Sequence, residues 1–231
     1  MRTLAKKLLI LIPALVALHS GAQTLTSYTT FGEPGDTYNT SSGWLVNGSA
    51  DPPEPYVEEA FAFTPTASGY LCQLNLAICA GNGNLASDLA NIFIAANNSQ
   101  NLPGATLASF LNVPCTGAFG AGNPITSLTS SVNPLLRSGA TYWLYVQAAL
   151  PNADITVNQN SLGVLADQAQ AFSPSAWGGK GDKTTFAFDV EVSVVPEPST
   201  TALAALGISV LIRPLARGFH FNFCKPRKTR A

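Results

Sequence analysis

Histidine is missing from residues 23–196 of this 231-residue chain: His19 and His220 both lie outside that stretch, as does the one methionine, Met1. The absence removes a Ser-His-Asp or Cys-His nucleophile pair, a His-ligated zinc and a His-Glu-x-x-His site from the segment. Charge is scarce too, at 11% of positions, and it is unevenly divided. Residues 1–22 carry Arg2, Lys6 and Lys7 with no acid, and residues 197–231 carry Glu197 against Arg213, Arg217, Lys225, Arg227, Lys228 and Arg230. Between them Arg137, Lys180 and Lys183 face twelve carboxylates, a formal charge of −9. Three scattered cations do not make a phosphate-binding surface, so no nucleic-acid partner is expected. A middle segment of this length suits one domain with a real core.

The two ends read as addresses. The first combines the cations Arg2, Lys6 and Lys7, an apolar run over residues 8–18 and the small-residue end Ser20-Gly21-Ala22. That order is a secretory signal peptide over residues 1–22, and the run is well short of the roughly 20 apolar residues that span a bilayer. At the other end, Val195-Pro196-Glu197-Pro198-Ser199-Thr200 precedes an apolar stretch over residues 202–212 and then the basic cluster. Two prolines fix φ and remove backbone donors, which keeps the motif extended and accessible to an enzyme. The apolar stretch acts as a membrane segment, and the cations hold its far side in the cytoplasm.

This ordered tail, residues 195–231, resembles the PEP-CTERM sorting signal of Gram-negative bacteria. The resemblance implies that Pro196, Glu197 and Pro198 are read by the membrane enzyme exosortase, with the chain as substrate. It further implies an exported protein, held at the inner membrane and then delivered to the cell surface or extracellular matrix.

Residues 23–194 are expected to be all-β. Gly, Pro, Asn, Ser and Thr clusters recur every eight to fifteen residues, and no long 3.6-residue period appears. Alternation over 70–79 places Cys72, Leu74, Leu76 and Ile78 on one face; alternation over 184–194 turns Phe186, Phe188, Val190, Val192 and Val194 inward. Further strands are expected at 59–63, 92–96, 107–111, 125–129, 141–148 and 155–158, with 84–90 suited to starting a short helix. The sum is an antiparallel β-sandwich, jelly-roll-like, flanked by an N-terminal signal helix and a C-terminal hydrophobic helix.

Phe61-Ala62-Phe63-Thr64-Pro65, Leu102-Pro103-Gly104-Ala105-Thr106-Leu107 and the run from Pro134 through Ser138-Gly139-Ala140-Thr141-Tyr142-Trp143-Leu144 resemble the "choice-of-anchor" surface domains of bacteria. That resemblance spans roughly residues 31–192 and implies a display module without catalytic activity.

Candidate chemistry is sparse. The densest acidic group, Asp51-Pro52-Pro53-Glu54-Pro55-Tyr56-Val57-Glu58-Glu59, offers hard oxygens that suit structural calcium. Three stiffening prolines and the absence of Asp-x-Asp spacing favour a solvated acidic loop, and no cofactor or metal is expected. For binding extracellular polysaccharide the aromatic candidates are Trp177, Tyr38 and Tyr56, then Trp44; Trp177 reads as a loop residue, and Trp143, within a strand, as core. A carboxylate hydrolase needs two facing acids, and nothing in the sequence singles out a pair. Of the three cysteines in the middle, Cys72 and Cys79 lie about 23 Å apart along one extended segment and cannot pair. A Cys79–Cys115 bridge is the favoured disulfide, with Cys72 as a buried thiol.

Overall fold

The computed structural model describes residues 23–50, 56–174 and 176–194, and within them every regular element is a strand. The expected signal helix, the sorting tail with Pro196, Glu197 and Pro198, and residues 51–55 of the acidic loop lie outside the described residues. In chain order the strands are β1 (Gln23–Thr29), β2 (Tyr38–Asn47), β3 (Glu58–Phe63), β4 (Gly69–Leu76), β5 (Ile78–Ala80), β6 (Leu89–Asn97) and β7 (Pro103–Pro114). They continue as β8 (Thr126–Thr129), β9 (Leu135–Leu136), β10 (Tyr142–Ala148), β11 (Asp154–Asn160), β12 (Leu165–Ala171), β13 (Trp177–Thr184) and β14 (Phe188–Val194). Among the described residues no helix is long and apolar enough to cross a membrane.

The strands form a six-stranded sheet in the order β13-β12-β3-β10-β6-β7, a five-stranded sheet β1-β14-β4-β8 with β9 also on β4, and a three-stranded sheet β2-β11-β5. The ladders whose register is defined within them are antiparallel. Strand β3 shows how the core is divided. All six of its side chains are buried: Phe61 and Phe63 enter the main core, while Ala60 and Ala62 join a smaller cluster on the opposite face. In the main core Phe61 meets Trp44 of the three-stranded sheet at 5.5 Å between ring centroids and Phe186 at 4.7 Å. Phe63 meets Phe188 of the five-stranded sheet at 5.7 Å. Both smaller sheets thus face the six-stranded one across a shared core, a β-sandwich-like arrangement within the compact unit Thr24–Val194. Burying each phenyl ring contributes about 1.5–3 kcal/mol, which makes this ring stack a principal source of stability.

Several expectations change in detail. The segment 70–79 is two strands in two sheets: β4 pairs with β14, then Ala77 carries the chain across and β5 pairs with β11. Ala77 binds both sides, donating to the Ala187 carbonyl at 3.0 Å and accepting from the Asn158 N–H at 3.0 Å. Cys72 does not share the inward face of Leu74 and Leu76. The register slips there, with Glu191 opposite Gln73 and Val192 opposite Leu71, so Cys72 is the extra residue of a bulge and Leu71 takes the buried position. The segment 84–90 forms a single turn, Ser87 and Asp88 both donating to the Asn84 carbonyl at 3.1 Å, after which Leu89 and Ala90 enter β6. Glu58 and Glu59, expected at the end of a solvated acidic loop, are each only 1% exposed in β3.

Candidate functional site

The outer face of the six-stranded sheet gathers aromatic side chains that the main core does not use. Alternation on β10 sends Tyr142, Leu144 and Val146 inward and leaves Trp143 and Tyr145 outward, opposite Ala62 and Ala60 of β3. On the other side β6 places Phe93 beside Tyr145. The two rings stack, with centroids 4.5 Å apart and planes 14° from parallel.

Following that row in the opposite direction, Tyr145 is aligned with Ala60 of β3, which pairs with Ala169 of β12, which pairs with Gly179 of β13. Three strand spacings separate β10 from β13, about 14 Å at 4.7–4.9 Å each. Because only methyl groups and a glycine occupy the floor, Trp177 reaches back from β13 and meets Tyr145 edge-on at 5.3 Å. Trp143, Ala60 and Ala169 beneath are fully covered, whereas Phe93, Tyr145 and Trp177 stay partly exposed.

Polar groups border these rings. The Trp143 Nε1–H donates to Asn97 Oδ1 at 2.8 Å, and the Tyr145 hydroxyl lies 3.1 Å from Thr106 Oγ1. Glu58, the outward neighbour of Ala60 on β3, accepts a hydrogen bond from the Tyr56 hydroxyl. Burial, followed by the Glu58 interactions, holds the Tyr56 phenol well above its ordinary pKa. The Tyr145 phenol is raised chiefly by burial, with the Glu58 charge adding to the rise. The half-exposed aromatic faces offer stacking surface for C–H groups, and the Tyr145 and Thr106 hydroxyls at their border can exchange hydrogen bonds with a ligand, while Glu58 is buried against Tyr56.

Of the sequence candidates, Trp177 and Tyr56 both belong to this face, through Tyr145 and Glu58 respectively. Trp177 is the first residue of a strand, not a loop residue. Tyr38 stands apart, on β2: it packs against the cluster of Phe31, Ala77 and Ala187, and its hydroxyl donates to the Asn123 carbonyl at 2.7 Å. Trp44 is turned to the main core and donates from Nε1 to the Thr184 carbonyl at 2.8 Å. Trp143 is core, as its strand position suggests. Tyr145 and Phe93 were not singled out from sequence, and Glu58 was read only as part of the acidic loop; the signal was the odd parity of Trp143 and Tyr145 in a strand whose even positions already supply the core.

Carboxylates elsewhere are held differently. Glu59 points into the sandwich, where Gln168 and Gln170 donate to its two oxygens at 2.7 and 2.5 Å, and burial lifts its pKa to about 7. Asp189 and Glu191 share one face of the five-stranded sheet and both accept from Asn75 Nδ2, at 2.8 and 3.3 Å; burial lifts Asp189 to about 6. Cys72, Cys79 and Cys115 are free thiols, so the expected Cys79–Cys115 bridge is not formed in this structure. Cys79 Sγ contacts the Thr156 carbonyl and Asn158 Oδ1, each at 3.4 Å, and burial raises its pKa to about 11. Among the described residues no three His, Cys, Asp or Glu side chains group as metal ligands. No family model and no curated protein sequence matches the chain.

Proposed function

We propose that this chain is a non-enzymatic exported surface protein of a Gram-negative bacterium, sorted by exosortase through Pro196, Glu197 and Pro198. Its signal peptide directs export, a jelly-roll-like sandwich folds outside the cytoplasm, and the tail holds it in the inner membrane until it reaches the cell surface or extracellular matrix. The observation that carries the reading is the order of the C-terminal sequence features: a Pro-Glu-Pro motif, a short apolar stretch and a basic end. C-terminal mass spectrometry of protein recovered from the surface, with and without the sorting enzyme, tests it. Surface protein is expected to end near the motif when the enzyme is present; material still ending at Ala231 overturns the processing step.

A second reading, binding of extracellular polysaccharide, is favoured by the aromatic face on which Trp177 and Tyr145 meet at 5.3 Å beside the Tyr56–Glu58 pair. A glycan array probed with the parent and with Trp177→Ala and Tyr38→Ala measures it. Loss with Trp177→Ala and retention with Tyr38→Ala is the expected pattern, and an array without binding leaves display alone as the role. A carboxylate hydrolase has less support. Asp189 and Glu191, which share a face, are tied to one Asn75 amide, and neighbours Glu58 and Glu59 point to opposite sides of β3.

A further inference from the structure

Asn47 ends β2 and Asp154 begins β11, and the two stand directly opposite each other in the antiparallel ladder. The next pair along is joined by the Gly48 N–H donating to the Ala153 carbonyl at 2.9 Å, while Asn47 exchanges its own backbone hydrogen bonds with Val57. Asn47 and Asp154 are therefore a non-hydrogen-bonded pair, the closer of the two antiparallel pair types, with both side chains on one face. On its other side Asp154 accepts from the Gly81 N–H at 2.8 Å, and its own N–H donates to Asp88 Oδ1 at 3.1 Å. Its carboxylate lies over Gly81, where a Cβ would come within 2.0 Å of Asp154 Oδ1. Glycine is required there for room. Asn47 and Asp88 thus flank Asp154 from its two neighbouring sides.

Two of these side chains keep buried polar atoms without partners. Asn47 is 0% exposed, and neither its Oδ1 nor its Nδ2 has a hydrogen-bond partner among the described residues. Asp88 is likewise 0% exposed: Oδ1 accepts from the Ser87 hydroxyl and the Asp154 N–H, but Oδ2 has no partner among the described residues. Each such atom costs about 1–3 kcal/mol, and native interiors retain few of them.

An amide oxygen and carboxylate oxygens set on strand and turn backbone are the hard donors calcium takes, its remaining positions being filled by carbonyls and water. A mixed set of one amide and two carboxylates is consistent with the lack of any three-acid cluster among the described residues. We propose that Asn47, Asp88 and Asp154 form a calcium site that stabilises the folded domain. Asn47 Oδ1 and Asp88 Oδ2 are the vacant donors; Asp154 contributes charge and the backbone that fixes the other two. The site is independent of the sorting reading.

The test is calcium binding to the full chain, measured by titration calorimetry after EGTA treatment and by thermal unfolding in EGTA against about 5 mM calcium, a concentration matched to weak extracellular sites. One calcium per chain and a Tm rise of about 5 °C are expected, with magnesium at the same concentration giving no comparable rise. Asp88→Asn keeps an acceptor for its two hydrogen bonds but loses charge, and should weaken binding at least about tenfold. Asn47→Leu replaces the orphaned amide with an apolar group; it should melt higher than the parent in EGTA and no longer respond to calcium. Should Asp88→Asn fail to fold, Asn47→Leu carries the test alone. A parent with equal Tm in EGTA and calcium, or a calcium response that survives in Asn47→Leu, overturns the assignment.

Discussion

Glu59 is the residue at which sequence and environment disagree most. It is 1% exposed, faces the main core, and carries a carboxyl whose pKa is lifted from 4.5 to about 7, mainly by burial. A folded-state pKa above the unfolded one means that the native state holds the proton more tightly. The associated stability is fully present below pH 4.5 and is lost as the pH rises through 7. Asp189, lifted from 3.8 to about 6, acts in the same direction over a lower window. Glu59→Gln keeps a polar group between Gln168 and Gln170 but cannot ionise. In urea unfolding its advantage over the parent should be on the order of 3 kcal/mol larger at pH 8 than at pH 4.5. A difference that does not grow with pH would show that the carboxylate is solvated in the folded state. The burial of this residue was not legible in the run Tyr56-Val57-Glu58-Glu59, because charge and three preceding prolines signal a surface loop. Only the pairing of β3 with β12, distant in sequence, supplies the two glutamines that make burial tolerable.

At the scale of elements, strands with an apolar inner face were legible and glycine-rich or polar ones were not. The expected segments 59–63, 92–96 and 155–158 fall within β3, β6 and β11, and 141–148 matches β10 but for its first residue; in these strands β-branched or aromatic residues alternate or run together. Strand β13 was missed because Trp177-Gly178-Gly179-Lys180-Gly181 has the composition of a loop. It forms a strand because β12 offers it a partner, and because the ladder slips between Gln168 and Ala169, leaving Lys180 as the extra residue. Gly181 sits beside that slip at φ +72°, with no atom within 4 Å of where a Cβ would be. Gly181→Ala should therefore lower stability by about 1 kcal/mol through backbone strain alone. Gly178→Ala has a nearest neighbour at 3.9 Å and no left-handed φ, so it should leave the melting temperature unchanged or slightly raised. Equal effects from the two would mean that the bulge is not held as described. The aromatic face was half legible for a related reason. Trp177 and Tyr56 stood out as isolated rings, but Tyr145 and Phe93 were hidden in apolar strands whose outward parity becomes meaningful only once the neighbouring strands are known to carry alanine and glycine.

For the whole molecule the decisive fact is that three sheets share one core. Phe61 touches rings from beyond its own sheet, so its loss is felt throughout: Phe61→Ala should cost about 3–5 kcal/mol. The three tryptophans allow the sharing to be checked, since Trp44 lies in the three-stranded sheet, Trp143 in the centre of the six-stranded sheet and Trp177 at its edge. Variants retaining one tryptophan at a time should unfold in urea with coincident midpoints, once each is referred to its own stability. Separate midpoints for Trp44 and Trp143 would show two cores in place of one.

The position of β14 has a mechanical consequence. Its last residue, Val194, is where the described fold ends, and the strand is flanked on both sides, by β1 and by β4. In a chain tethered beyond Val194, tension enters along the axis of an inner strand. Ladder hydrogen bonds lie across that axis, so the pull loads those on both sides together in shear and does not open them one at a time. An edge strand such as β13 would peel when pulled outward. Under the proposed C-terminal anchoring, a pull on β14 would therefore be borne by both of its ladders at once.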